Sequence, residues 1–267
     1  MPGFGLSMGV TLLWLSLIVL IPLSAVFIRS AGNGWDAFWA AAGSERALAA
    51  YRVSFCAAAI AAAVNSVFGL LVAWVLVRYD FAGKRLVSAF VDLPFALPTA
   101  VAGIALTAIY ADTGWVGRPL APFGITIAYH FPGIVIALIF IGLPFIVRTV
   151  EPVLAQMGKE PEEAAATLGA NRLQTFVRVI LPTIAPSLAT GFSLAFARGV
   201  GEYGSVIFIA GNMPFHTEIA PLLIITQLEQ YDYPGATAIA VVMLVVSFGM
   251  LLLLNLLQGW QRRRVTL

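Results

Sequence analysis

Long apolar runs separated by short polar segments make up most of the chain. Residues 6–28, LSMGVTLLWLSLIVLIPLSAVFI, carry no charge, and similar runs lie within 47–77, 86–110, 130–147, 184–210 and 236–258. A helix needs about 20 mainly apolar residues to cross a hydrocarbon core of about 30 Å. The pattern therefore predicts an all-α integral membrane protein with six transmembrane helices. The runs leave little of residues 1–267 unused, which predicts a single transmembrane domain with no soluble catalytic domain. The first run exceeds the apolar core of a cleaved signal peptide and has no basic residues before it, so it is expected to stay as a span.

Composition agrees: 60% of the residues are hydrophobic, 10% are charged and the mean hydropathy is +0.94, more apolar surface than a soluble core of this size can hide. A formal charge of +2 gives no reason to expect a nucleic-acid partner. The placement of the charges says more. Arg78, Lys84 and Arg85 follow the second run, Arg148, Lys159, Arg172 and Arg178 lie between the fourth and fifth, and Arg262, Arg263 and Arg264 end the chain. On the opposite side stand Arg29, Arg46, Arg52 and Arg118, partly offset by Asp36, Glu45 and Asp112, while 211–235 has no Lys or Arg. The positive-inside rule then places both termini and the 148–182 loop in the cytoplasm. The arginine tail would meet anionic lipid headgroups there. Cys56, the single cysteine, excludes an internal disulfide and is expected to be a small core residue.

Several runs are rich in Pro and Gly, notably Asp92-Leu93-Pro94-Phe95-Ala96-Leu97-Pro98 in the third and Phe131-Pro132-Gly133 before the fourth. Kinked helices with small residues suit close packing around a pathway. The 148–182 loop predicts two short helices joined at a glycine. Pro161 fits a first helical position, Glu162 and Glu163 complement a helix start, and Gly169 suits the left-handed turn that ends the first helix. Asn171 and Gln174 are spaced for a capping box on the second. Ala164, Ala165 and Ala166 leave a narrow surface for close approach, and Leu168 and Phe176 offer apolar contact, so the pair is expected to be a docking knob.

The series Glu163-Ala164-Ala165, then Gly169, Val179 and Leu181-Pro182 resembles the EAA loop of ABC importer permeases, with Val179 where that family usually has Ile. Across most of the chain the sequence resembles the T-type permeases of bacterial sulfate/thiosulfate importers. The likeness is most particular over Asp92 to Gly103, with support from Gly201-Glu202-Tyr203-Gly204 and Tyr231-Asp232-Tyr233-Pro234. The resemblance implies the type I ABC importer permease (MetI-like) fold in the bacterial inner membrane. It also implies coupling to an ATPase through Glu163, Ala164, Ala165, Gly169, Leu181 and Pro182. The implied partners are a W-type permease, an ATPase dimer that binds the ATP and Mg, and a periplasmic sulfate- or thiosulfate-binding protein. This chain itself would hold no cofactor and hydrolyse nothing. Gly83-Lys84 agrees, since it lacks the earlier glycine and the Ser/Thr of a phosphate-cradling loop.

For the translocation pathway the residues leave alternatives open. Arg198 and Glu202 stand four apart in the fifth run, either stabilising each other or setting an anion-permissive field at a gate. Asp92 is either a capping residue or a polar lining of the pathway. Gly199, Gly201 and Gly204 match a dinucleotide-binding spacing, but no strand precedes them. His130 and His216 have no partner at metal-ligand spacing and read as interfacial. Two other functions stay in view: a molybdate/tungstate permease of the same mechanism, and an ion-coupled secondary anion carrier, which would leave the Glu163-Ala164-Ala165 loop unexplained.

Overall fold

The computed structural model describes residues 3–32 and 34–265, and the side chains of Arg262, Arg263 and Arg264 lie outside the described residues. Helices α1 (Phe4–Leu15) and α2 (Ile21–Ala31) join through a π-helical turn into one apolar rod, followed by α3 (Trp35–Ala42). The long α4 (Glu45–Arg78) starts where the Ser44 hydroxyl accepts from the Ala47 N–H at 3.2 Å. Glu45 in its first turn and Arg78 in its last complement the helix dipole.

Between α5 (Lys84–Ala96) and α6 (Thr99–Tyr110) the chain bends by 114°, so the third run is not the continuous span its hydropathy suggests. The cause is local. Pro98 has no N–H to continue the ladder and forces Leu97 into extended backbone, φ −82°, ψ 136°. In the turn before α5, the hydrogen bond from the Lys84 ammonium, 2.8 Å from Asp80, holds that carboxyl below the usual carboxylate range. Asp80 is fully exposed, so the pair adds little to stability. The short α7 (Gly117–Leu120) leads to α8 (Phe131–Met157), then α9 (Glu160–Thr167), α10 (Arg172–Thr175) and a π-helical turn into α11 (Leu181–Val200). Helices α12 (Val206–Ile209), α13 (Ala220–Glu229) and α14 (Tyr233–Val265) complete the chain. The fifth run thus ends as a helix at Val200, ten residues earlier than 210, because Gly201 caps α11 and the chain turns.

The core lies where α4, α8 and α11 meet. Ala50, Ala57, Ala58, Ala61 and Ala62 of α4 are buried there. Glycines bring the backbones closer still. A Cβ on Gly69 would lie 2.8 Å from Ile146, and one on Gly142 would lie 2.6 Å from Asn65 Nδ2. Lipid tails are as apolar as the helices, so such close packing and interhelical hydrogen bonds replace the hydrophobic effect as the force holding helices together. Asn65 supplies one, its fully buried amide donating to the Ile139 carbonyl at 3.0 Å.

Contacts at the two ends set the helix directions. At one end Arg52 of α4 and Phe131, which opens α8, line a common cavity. At the other, Arg78 at the end of α4 donates to the Gly158 carbonyl just past α8. Helices α4 and α8 therefore run the same way, and the bent α5–α6 pair makes the return crossing between them. Among the described residues five helices are long and apolar enough to cross, and with the bent pair as one span they make six, by length and composition. Cys56 departs from expectation: it is exposed on α4, lining the Arg52 cavity, while its neighbours Ala57 and Ala58 turn into the core.

Candidate functional site: a helical pair and three ion pairs

The α9–α10 pair stands at the end of the bundle marked by Arg78. Glu160, Glu162 and Glu163 occupy the first turn of α9, with Pro161 in its second position, one later than the sequence suggests. Gly169 takes φ +81°, and the Gly169 and Ala170 N–H groups close the turn by donating to the carbonyls of Ala166 and Ala165 at 3.0 Å each. Asn171 and Gln174 form the capping box, side chain to backbone in both directions at 2.9 Å.

Arg78, only 8% exposed, fixes this pair to the bundle. Its Nη2 lies 2.6 Å from Glu162 Oε1 and 2.6 Å from the Gly158 carbonyl oxygen, and its guanidinium sits 5.4 Å from the centre of the Trp74 ring. Trp74 in turn meets Phe176 edge-on at 6.2 Å. Phe176 therefore braces the pair while staying half-buried at a cavity beside it, and Ala165 is buried. What faces away from the chain is Glu163, Ala164, Gly169, Leu168 at 88% exposure and Leu173 at 71%. Leu181 opens α11 half-buried, with Pro182 exposed in its first turn.

The candidate pathway residues are all engaged inside the chain. Arg198 Nη1 lies 2.5 Å from Glu202 Oε2 even though Glu202 stands beyond the helix end. Glu202 is 3% exposed, and its other oxygen accepts from the N–H and hydroxyl of Ser205 at 2.9 and 3.0 Å. Helix α6 packs close by: a Cβ on Gly103 would lie 2.3 Å from the Ser205 carbonyl oxygen. Glu202 is thus a fastener for the turn after α11.

Asp92 caps nothing. It lies in the third turn of α5 and receives both Nε and Nη2 of Arg148 from α8, at 2.8 and 2.5 Å. Arg148 also bonds Glu151 and the Ser88 hydroxyl. Together with an edge-on Phe95–Phe145 contact, this holds α5 against α8. Arg148 belongs to α8, and the connection to the next span begins only at Gly158. Replacing Arg148 by Met should loosen α5 by about 1–2 kcal/mol, a charge-assisted bidentate pair discounted for its partial exposure. The check is protease sensitivity of the 79–83 turn in purified protein; unchanged cleavage would refute the latch.

In the sequence alone Arg78 and Arg148 mark topology and Glu162 is a helix-start charge. No local pattern links Arg78 to Glu162 or Arg148 to Asp92, since each pair joins different helices.

A multi-span helical bundle with a short helical pair fixed at one end is the fold of solved ABC importer permeases. A bacterial ABC transporter that imports the polysaccharide alginate matches with a TM-score of 0.78 at 18% identity, covering 99% of this chain and 97% of the other. The inward-facing MetNI methionine ABC transporter matches with a TM-score of 0.57 at 20% identity, over 81% and 94%. The chain belongs to the family of binding-protein-dependent transport system inner membrane components, whose family model matches residues 65–267. It is similar to proteins named sulfate transport system permease protein CysT. That of Synechocystis sp. is 54% identical, over 95% of this chain and 89% of the relative. That of Escherichia coli is 48% identical, over 99% and 96%. The chain is accordingly a membrane-embedded permease subunit of an ABC transporter and not its ATP-hydrolysing component.

Proposed function

We propose that this chain is the T-type permease subunit of a sulfate/thiosulfate importer and that α9–α10 is its coupling element. The sulfate part rests on the extended similarity to sulfate permeases. The coupling part rests on one observation: a short helical pair presents Glu163, Ala164, Leu168 and Leu173 outward while Arg78 ties its root to α4 and α8. A pair so rooted transmits displacement to the spans instead of absorbing it. Closure of an ATPase dimer would move α9, and through Glu162, Arg78 and Gly158 would shift the ends of α4 and α8 together.

In this reading the α9–α10 end faces the cytoplasm, as the basic residues Arg78, Lys84, Arg85, Lys159, Arg172 and Arg178 near it favour. Both termini lie on that side of the bacterial inner membrane, and the whole chain is one permease domain. A W-type permease completes the pathway. A periplasmic sulfate- or thiosulfate-binding protein delivers the substrate, and the ATPase pair holds ATP and Mg.

The test is sulfate uptake by the complete importer in proteoliposomes, wild type against Gly169→Val. At φ +81° a β-branched side chain meets backbone strain of about 1–3 kcal/mol, although space around the position is open. Sulfate uptake should require ATP and fall several-fold in the variant while the complex still assembles. Uptake that ignores ATP, or that matches wild type in the variant, would defeat the coupling role; ATP-driven uptake of molybdate in place of sulfate would defeat the substrate.

A further inference from the structure

Helix α11 has two unlike faces. Ile184, Gly191, Ala195, Phe196 and Gly199 turn into the core. Beside them, Thr183, Ser187, Thr190, Leu194 and Arg198 recur at helical spacing and form one stripe that is not buried. Thr149 of α8 reaches the flank of this stripe because Gly191 leaves room; a Cβ there would lie 2.4 Å from Thr149 Oγ1. Thr149, Val153, Thr183, Pro186, Ser187 and Thr190 line an open groove of about 280 Å³. In the second half of α4 the exposed stripe is quite different, with Ile60, Val67, Leu71 and Val75, as a lipid-facing surface should be. Four hydroxyls gathered from two helices at one groove mark a face turned to water or to solute.

We propose that this groove is the part of the oxyanion pathway contributed by this chain, with the hydroxyls of Thr149, Thr183, Ser187 and Thr190 donating to a tetrahedral oxyanion as it passes. The assignment rests on the sulfate reading above and adds where the anion travels. The chemistry suits transport better than capture. Each hydroxyl donates to a carbonyl of its own helix at rest: Thr149 to Phe145 at 2.8 Å, Thr183 to Val179 at 2.8 Å, Ser187 to Ile184 at 2.8 Å and Thr190 to Pro186 at 2.9 Å. No donor is stranded when the groove is empty, and rotation of the hydroxyl redirects it to an anion. Neutral donors hold a dianion loosely enough to release it, whereas an unpaired cation at the same place would trap it. Arg198, higher on the stripe, is balanced by Glu202 and so avoids that trap.

The experiment uses the complete importer in proteoliposomes with Cys56, which is exposed, replaced by Ser. Thr183→Val, Ser187→Ala and Thr190→Val keep size and remove the hydroxyl. Each should lower sulfate uptake about fivefold, the worth of one neutral hydrogen bond, with binding-protein-stimulated ATP hydrolysis retained. Independently, Ser187→Cys should react with a membrane-impermeant thiol reagent, and sulfate turnover should slow the reaction, while Val67→Cys should stay inert. A triple hydroxyl variant that transports like wild type, or a Ser187→Cys no more reactive than Val67→Cys, would overturn the proposal. If the wild-type complex imports no sulfate, the sulfate reading and the oxyanion assignment fall together, and the thiol reactivity still decides whether the groove is an aqueous path.

Discussion

Replacing Arg78 by Met is expected to separate ATP hydrolysis from transport. The change leaves Glu162 and the Gly158 carbonyl without their partner at the root of α9. Removing one member of such a largely buried pair should release about 3 kcal/mol of anchoring, on the order of a hundredfold in the population of the rooted state. The outward surface of α9–α10 is untouched, so the ATPase should still dock and still hydrolyse ATP. The measurement is sulfate imported per ATP consumed, which should drop at least tenfold. A ratio within twofold of wild type would show that α9 does not act through Arg78. Glu162→Gln should give a milder form of the same defect, and the double variant should cost less than the two single changes added, because both remove one interaction.

The second large effect is expected at Glu202. Its carboxylate holds Arg198 on one oxygen and the Ser205 backbone and hydroxyl on the other, nearly shut off from solvent. Glu202→Ala leaves Arg198 without its partner and frees the turn that packs on α6, at about 2–3 kcal/mol, discounted because the Arg198 side chain is 38% exposed. Glu202→Gln keeps the one oxygen that accepts from Ser205 but puts an amide donor where Oε2 accepts from Arg198, so it should lie between wild type and Ala. Thermal stability of the detergent-purified complex is the readout, ordered wild type, Gln, Ala. The account is wrong if Ala melts with wild type. If Glu202 instead served as a charged gate, Gln and Ala would lose transport equally without a loss of stability. A further check is Arg198→Met combined with Glu202→Gln, which removes both charges and should recover much of the stability lost in Glu202→Gln, since no lone charge then remains.

The two variants bear on different parts of the same protein. Arg78 acts at the root of α9, Glu202 where the turn after α11 meets α6. The hydroxyl groove runs between them along α11. If all three expectations hold, motion entering at α9 has a continuous route, through the ends of α4 and α8, to the helices that border the groove.

Much of this was readable before any folding. The apolar runs gave the spans because the requirement to satisfy every backbone group in lipid leaves a helix as the remedy within each run. The Gly169 turn and the Asn171–Gln174 box were readable because caps act through residues within a few positions of each other. The pairing of Arg198 with Glu202 was visible for the same reason.

Where hydropathy alone was used, it failed at particular places. It ran the third span straight through Leu97–Pro98, since an average over residues ignores what one proline does to its neighbour's backbone. It put Cys56 in the core because an Ala-rich run says nothing about which side of the helix each residue takes. Asp92 was given to capping or to the pathway because its partner, Arg148, sits on another helix.

The sequence by itself determined the apolar spans and the two capped helices at Gly169, which depend on interactions local along the chain, and the class of protein through its likeness to known permeases. Only the tertiary structure decided which charges are spent on each other, which face of α11 is left open and what roots the docking pair to the spans. Those outcomes depend on how close backbones approach across Gly69, Gly142 and Gly191, and a distance between helices is written at no single position of either one.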